Sequence, residues 1–211
     1  MIENIRPADI EKRSFEIITE ILGDRVLDPE NEAVIKRAIH TTADFDYADN
    51  LVFSDHAVTK GIEALKSGCD IVTDTQMARA GINKTILARL GGEVHCFMSD
   101  PDVAAEAKER GITRAIVSME KAARLEKPCI FAIGNAPTAL ICLKDLMDQG
   151  KLSPALIIGV PVGFVNVVES KERIIEGSRA PFIVARGRKG GSNVAAAICN
   201  ALLYKIARFF Y

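Results

Sequence analysis

Residues 129–138 read Cys-Ile-Phe-Ala-Ile-Gly-Asn-Ala-Pro-Thr, an apolar run that leads through a glycine-containing loop to a proline. An apolar run without polar alternation is typical of a strand buried on both faces of a parallel sheet. Pro137 favours the first turn of a helix, because proline lacks the N–H that a first turn leaves unpaired. The stretch therefore predicts a strand, a tight loop and a helix in succession.

The same unit recurs along the chain. Apolar runs of strand length predict strands at Leu51–Ser54, Asp70–Thr73, Glu93–Phe97, Cys129–Ile133, Ala155–Gly159 and Phe182–Ala185. Helical periodicity predicts helices over 9–23, 30–42, 55–67, 74–90, 101–110, 114–125, 137–149, 167–177 and 191–209. Alternating strands and helices predict an α/β fold: a doubly wound, mainly parallel sheet flanked by helices, in a Rossmann-like three-layer sandwich. No linker or repeat divides the 211 residues, so we expect one domain over 1–211.

Composition narrows the functional class. The chain is 48% hydrophobic and 26% charged, with a formal net charge of -1, so no overall field favours nucleic acid or an anionic membrane. The longest apolar runs are far shorter than the roughly 20 residues that span a bilayer, and the N-terminus shows no signal peptide. The five cysteines form no C-x-x-C pair and are expected to be reduced core residues. We expect a soluble, cytoplasmic protein.

Ligand sites of this fold class lie at the carboxyl ends of the strands. Three loops follow predicted strands there: Gly134–Thr138, Gly159–Phe164 and Arg186–Ser192. In the first loop, Asn135 and Thr138 are candidates to hydrogen-bond a carboxylate, while the alternative is that Asn135 or a neighbour caps the following helix.

The loop Arg186–Ser192 is basic and rich in glycine. Gly190 and Gly191 permit close approach of the backbone to a ligand, Lys189 adds positive charge, and Ser192 opens the last helix, whose N-terminus attracts anions. The loop matches neither G-x-G-x-x-G nor a Walker A motif, so it does not indicate a nucleotide. A structural turn with solvated charges is the alternative.

His40 is the most informative histidine. The predicted helix over 30–42 has an apolar stripe, and His40 lies off that stripe, three residues after Arg37. The two side chains are candidates to hold an anionic ligand and supply a proton, since imidazole titrates near neutral pH. An ordinary exposed histidine is the alternative.

Other polar residues have structural explanations. Ser14 lies on the apolar line of the first helix, where its hydroxyl either bonds back to the carbonyl of Ile10 or faces a pocket. His56 is expected in a helix cap, and His95 is expected to be a satisfied core histidine. No histidine pair or histidine–cysteine cluster has metal-ligand spacing, so we expect no metal.

Five segments, in order from residue 12 to 192, resemble the precorrin-8 methylmutase family of vitamin B12 biosynthesis. They are Lys12–Phe15, Arg37–His40, Ala132–Leu140, Gly159–Val165 with Glu169–Lys171, and Gly187–Ser192. The resemblance implies an isomerase that moves a methyl group from carbon 11 to carbon 12 of ring C in precorrin-8 or cobalt-precorrin-8. The product would be hydrogenobyrinate or cobyrinate, and such a methyl shift would need no cofactor.

The resemblance also implies site residues and partners. His40 takes the catalytic role of proton donor, and Ser14, Arg37 and Arg114 are substrate contacts. Carboxylates of the tetrapyrrole are expected to meet the strand-end loops, at Asn135, Thr138, Lys189, Gly190, Gly191 and Ser192. Family members are homodimers with the pocket at the subunit interface, so we expect the same here, with no nucleic acid and no membrane as partner.

Two other functional classes compete with this interpretation. One is a carrier or chaperone that holds a corrin without changing it. The other is a regulatory domain that binds a nucleotide at Arg186–Ser192, which the absence of a dinucleotide fingerprint disfavours.

Overall fold

The computed structural model describes residues 5–207. Its strands are β1 Leu51–Phe53, β2 Asp70–Thr73, β3 Val94–His95, β4 Cys129–Ile133, β5 Leu156–Gly159 and β6 Phe182–Ala185. They form one sheet in the order β1-β6-β5-β4-β2-β3, which is parallel from β6 to β3. The edge strand β1 runs antiparallel to β6, with Val52 opposite Val184.

Helices connect the strands and cover the sheet. They are α1 Ile10–Leu22, α2 Glu32–Thr42, α3 Tyr47–Asn50, α4 Ala57–Lys66, α5 Gln76–Gly81, α6 Lys84–Arg89, α7 Pro101–Arg110, α8 Arg114–Ala122, α9 Pro137–Asp148, α10 Val167–Gly177 and α11 Ser192–Ala207.

The central strands are apolar on both sides because both sides are covered. Ile130 of β4 packs in the core beneath α2, α4 and α11, whereas its neighbour Phe131 packs beneath α8, α9 and α10. Side chains of a strand alternate between the two faces of its sheet, so a strand in the middle layer needs apolar residues at every position. The prediction of a mainly parallel α/β sandwich is confirmed.

Several element boundaries were predicted wrongly. The helix expected over 74–90 is two helices, because Ile82 is extended and Asn83 starts α6 by accepting the Ile86 N–H at 3.1 Å. The strand expected over Glu93–Phe97 is reduced to Val94–His95, after which the chain turns. The helix expected over 191–209 is described to Ala207, and positions 208 and 209 lie outside the described residues.

Buried and capping residues follow the predictions in part. All five cysteines are buried and free, as expected. His95 is satisfied, with Nε2 at 3.0 Å from Asp70 Oδ2. His56 is the N-cap residue of α4, as expected, but its side chain makes no capping bond. Glu30 reaches the first turn instead and accepts the Thr59 N–H at 3.0 Å. Between residues 5 and 207, no helix has the length and apolarity needed to cross a membrane.

Candidate active site

The carboxyl ends of β2, β4, β5 and β6 meet at one edge of the sheet, and hydrogen bonds join the loops that leave them. The Thr75 and Ser192 hydroxyls lie 2.8 Å apart. The Gly191 N–H donates to Val160 O at 2.8 Å, and the Gly163 N–H donates to Arg188 O at 3.2 Å. The strand-end loops therefore form one continuous surface, as their positions after parallel strands predict.

Asp74 anchors the loop that follows β4. Its carboxylate is buried and accepts the N–H groups of Gly134, Asn135 and Ala136 at 2.8, 2.8 and 2.6 Å. Burial raises the pKa of the Asp74 carboxyl, and the three N–H bonds oppose that shift. The sequence analysis missed this residue, although its place directly after a buried strand was a usable signal.

The loop Arg186–Ser192 is held at several points. Arg186 pairs with Glu172 at 2.9 Å, and Lys189 Nζ lies 2.6 Å from both Asp44 Oδ2 and Asp46 Oδ2. These contacts raise the pKa of Lys189 and lower the pKa of Asp44. The two aspartates follow α2, so the loop is joined directly to the end of the helix that carries His40.

Gly190 is required by a close approach within this loop. A Cβ atom on Gly190 would lie 2.1 Å from Val160 O, far inside any tolerated contact. Its neighbour Gly191 has a φ of 136°, a value that side chains disfavour. These two positions therefore need glycine for the backbone path, whatever else they do.

Asn135, Thr138 and Arg114 lie on the side of the edge next to α8 and α9. The Asn135 side chain is exposed and does not cap α9, whose N-cap is Ala136 without a side-chain hydrogen bond. The Thr138 hydroxyl lies 2.9 Å from the hydroxyl of Thr113, and Arg114 follows at the exposed start of α8. The structure thus places Arg114 and Thr138 near each other at two helix N-termini.

Arg37 and His40 of α2 both contact Phe15 of α1, and Ser14 precedes Phe15 in that helix. The exposed His40 ring stacks on Phe15 with ring centres 5.2 Å apart. The Arg37 guanidinium lies over the other rings of the cluster, 4.8 Å from the centre of Phe15 and 5.1 Å from that of Tyr204. Arg37 also bonds Glu11 at 2.7 Å, so its charge is already paired within the chain.

Of the two alternatives for Ser14, the structure shows the hydrogen bond back to the helix. Its hydroxyl donates to Ile10 O at 2.9 Å. The apolar line on which Ser14 lies contains four isoleucines, and only Ile18 among them is buried. This line is therefore largely exposed. A groove of about 940 Å³ opens between α1, α2 and α11, lined by Phe15, Arg37 and Tyr204 among others, but His40 is not part of its lining.

The fold and this edge define an α/β protein whose strand-end loops carry basic side chains and glycine-rich backbone at the carboxyl edge of a mainly parallel sheet. The chain belongs to the precorrin-8X methylmutase family, whose model matches residues 9–205. It is accordingly an enzyme of the isomerase class, a methylmutase of cobalamin biosynthesis.

Individual relatives agree with this family. The chain is 48% identical to the cobalt-precorrin-8 methylmutase of Salmonella typhimurium over 95% of this chain and 96% of that protein. It is 39% identical to the precorrin-8X methylmutase of Pseudomonas aeruginosa over 96% of this chain and 98% of that protein. Among solved structures, the precorrin-8X methylmutase of Thermus thermophilus matches with a TM-score of 0.86 and 37% identity, over 95% of this chain and 98% of that chain.

Proposed function

We propose that the chain moves a methyl group from carbon 11 to carbon 12 of ring C in precorrin-8 or cobalt-precorrin-8. The product is hydrogenobyrinate or, with cobalt, cobyrinate. The catalytic assignment depends on His40, which is exposed in the last turn of α2 and whose side chain makes no hydrogen bond to any residue within 5–207. Its ring is nevertheless oriented by the stack on Phe15. An oriented imidazole with free nitrogens is suited to serve a ligand.

The reaction needs a proton donor rather than a nucleophile. The bond from the methyl group to carbon 11 breaks while the bond to carbon 12 forms. The double bonds of the conjugated ring shift at the same time, so no group leaves. Protonated His40 donates to a ring atom and withdraws electron density while the methyl group moves, and it recovers the proton afterwards.

The substrate has acetate and propionate carboxylates around its rim, and the site offers matching groups. Arg188 is exposed and has no ion pair in the described part of the chain, and Arg114 lies exposed at the start of α8. Asn135, Thr138 and Ser192 supply further donor side chains along the same edge. In the loop itself the N–H groups of Lys189 and Gly190 find no acceptor within residues 5–207, whereas the Gly191 N–H already donates to Val160 O. Arginine and backbone N–H groups are the donors that carboxylates bind best.

A second copy of the chain completes this proposed site. Ile10, Ile17 and Ile21 are exposed along α1, beside Ser14, at 53%, 37% and 60%. Several large apolar side chains exposed along one helix favour burial of that helix in an interface. In a homodimer joined through α1, the partner would enclose the exposed face of His40. The cytoplasmic location and the single domain over 1–211 stay predictions.

Replacement of His40 tests the assignment. We expect His40→Ala to lower turnover by at least about 10²-fold, the usual contribution of a general acid, while hydrogenobyrinate still binds. Turnover is followed by the absorption spectrum and the methyl position by NMR, with cobalt-free and cobalt-containing substrates in parallel. His56→Ala is the matched control, because that histidine is exposed at 74% and lies at the start of α4.

Two results would change the conclusion. Unaltered methyl migration by His40→Ala would remove the residue from catalysis. A wild-type protein that binds the tetrapyrrole and leaves its carbon skeleton unchanged would be a carrier.

A further inference from the structure

Lys171 is a buried lysine that takes no part in the proposed chemistry. It lies on α10 with an exposed fraction of 0%, and burial lowers the pKa of its amine to about 8. Its Nζ donates to two backbone carbonyls of the glycine-rich loop, Gly187 O at 2.7 Å and Lys189 O at 2.9 Å. Burying an amine costs free energy, so a position that retains one calls for a role that an apolar side chain would not fill.

The Arg188 carbonyl, between the carbonyls of Gly187 and Lys189, also points toward the interior of the protein. Arg188 O accepts the N–H of Gly163 at 3.2 Å. Three successive carbonyls, from residue 187 to residue 189, are thus all engaged on the inner side of the loop.

This arrangement determines where the N–H groups of the loop point. The described chain contains no cis peptide bond, and in a planar trans peptide the C=O and the following N–H point in opposite directions. The N–H groups of Arg188, Lys189 and Gly190 therefore point away from the anchors. None of the three donates to an acceptor within residues 5–207, and the Arg188 side chain beside them is exposed and unpaired there.

We propose that Lys171 is a positioning residue, which draws these carbonyls inward so that the N–H groups of residues 188–190 and the Arg188 guanidinium form a subsite for one carboxylate. Successive backbone N–H groups that point the same way bind anions, and a guanidinium adds a charged donor. That the carboxylate belongs to the tetrapyrrole rests on the proposed function. The subsite acts on binding and leaves the proton transfer at His40 unaffected.

A lysine variant tests the positioning role. Lys171→Met keeps the length of the side chain and removes both hydrogen bonds. We expect its Kd for hydrogenobyrinate and its KM to rise roughly tenfold, the cost of about one charge-assisted hydrogen bond, while kcat stays within about twofold. Lys127→Met is the matched control, since Lys127 also holds a glycine carbonyl, Gly91 O at 2.8 Å, but lies before β4 at the opposite edge of the sheet. A folded Lys171→Met protein with wild-type Kd and KM would refute the proposal.

Hydrogen exchange in the wild-type protein provides a test that does not depend on the folding of a variant. The amides of residues 188–190 have no acceptor in the described part of the chain and are expected to exchange rapidly in the free protein, then slowly once hydrogenobyrinate is bound. Exchange that is equally fast with and without hydrogenobyrinate would also refute the subsite. Methyl migration by the wild-type protein is scored separately, so a protein that protects these amides without turnover contradicts the proposed function and supports the subsite.

Discussion

Asp74 illustrates how much of this site depends on single buried residues. Its two carboxylate oxygens accept three consecutive backbone N–H groups, with Oδ1 serving Gly134 and Oδ2 serving Asn135 and Ala136. An asparagine would place an NH₂ group against at least one of these donors. The residue therefore requires two acceptor oxygens, whichever way the side chain is turned.

Asp74→Asn should consequently destabilise the protein. We expect the free energy of unfolding to fall by about 2–4 kcal/mol, because buried N–H groups lose their partner. Urea denaturation measures the change. Asp148→Asn is the control, since that aspartate is 49% exposed and its ion pair within residues 5–207 is with Lys144 on the same helix, where a solvent-screened pair contributes little to stability. Equal losses in the two variants would contradict the anchoring role.

At the scale of single residues, the strand-end loops could be predicted from the sequence, but the buried side chains that anchor them could not. Gly190 and Lys189 were predicted from a motif that is continuous in the chain. Asp74 and Lys171 were not, because their partners lie at residues 134–136 and 187–189 and only the fold brings them together. Long-range side-chain to backbone bonds leave no periodicity to detect.

At the scale of elements, the buried strands were predicted well and the helix boundaries less so. Strands β2, β4 and β6 have the predicted bounds, since an unbroken apolar run stands out in the sequence. The break between α5 and α6 was missed. It depends on Asn200 of α11, which accepts the Asn83 N–H at 2.8 Å and bonds Gly81 O at 2.8 Å through its amide.

Helix α1 is the element through which the proposed homodimer would form. Ile21→Lys introduces a charge at a side chain that is 60% exposed in the protomer, and it should leave the fold intact. If α1 forms the dimer interface, the dimer Kd should rise about tenfold or more, which corresponds to at least 1.4 kcal/mol. Analytical ultracentrifugation measures this shift. Ala105→Lys on the exposed surface of α7 is the control, and an identical dimer Kd in both variants would place the interface elsewhere.

At the scale of the whole molecule, the catalytic candidate and the ligand loops belong to different parts of the fold. His40 lies on α2, outside the sheet, whereas the loops extend from β4, β5 and β6. Lys189 joins them through Asp44 and Asp46. The α/β class was predictable from the alternation of runs along the chain, but this junction was not, since it pairs charges 143 residues apart.

Lys171 also makes the stability of the molecule depend on pH in a direction that can be derived. Its folded-state pKa of about 8 is below the ordinary value of 10.5, so between these values the unfolded chain binds more protons than the folded one. Stability from this group is therefore present above about pH 10.5 and is lost as the pH falls through 8. Buried thiols act in the opposite direction, because burial raises the pKa of Cys69 and Cys199 to about 12.

Comparison with Lys171→Met separates the two effects, since both proteins contain the same thiols. Between pH 7 and pH 10 we expect the free energy of unfolding of the wild type to gain on the order of 2 kcal/mol relative to the variant. Urea denaturation of both proteins at the two pH values measures this difference. The same pH dependence in both would mean that the amine is not held at a lowered pKa. A gain in the wild type would show that burial of the Lys171 amine lowers the free energy of unfolding at neutral pH. Such a cost is expected when a buried charge serves a binding surface rather than the core.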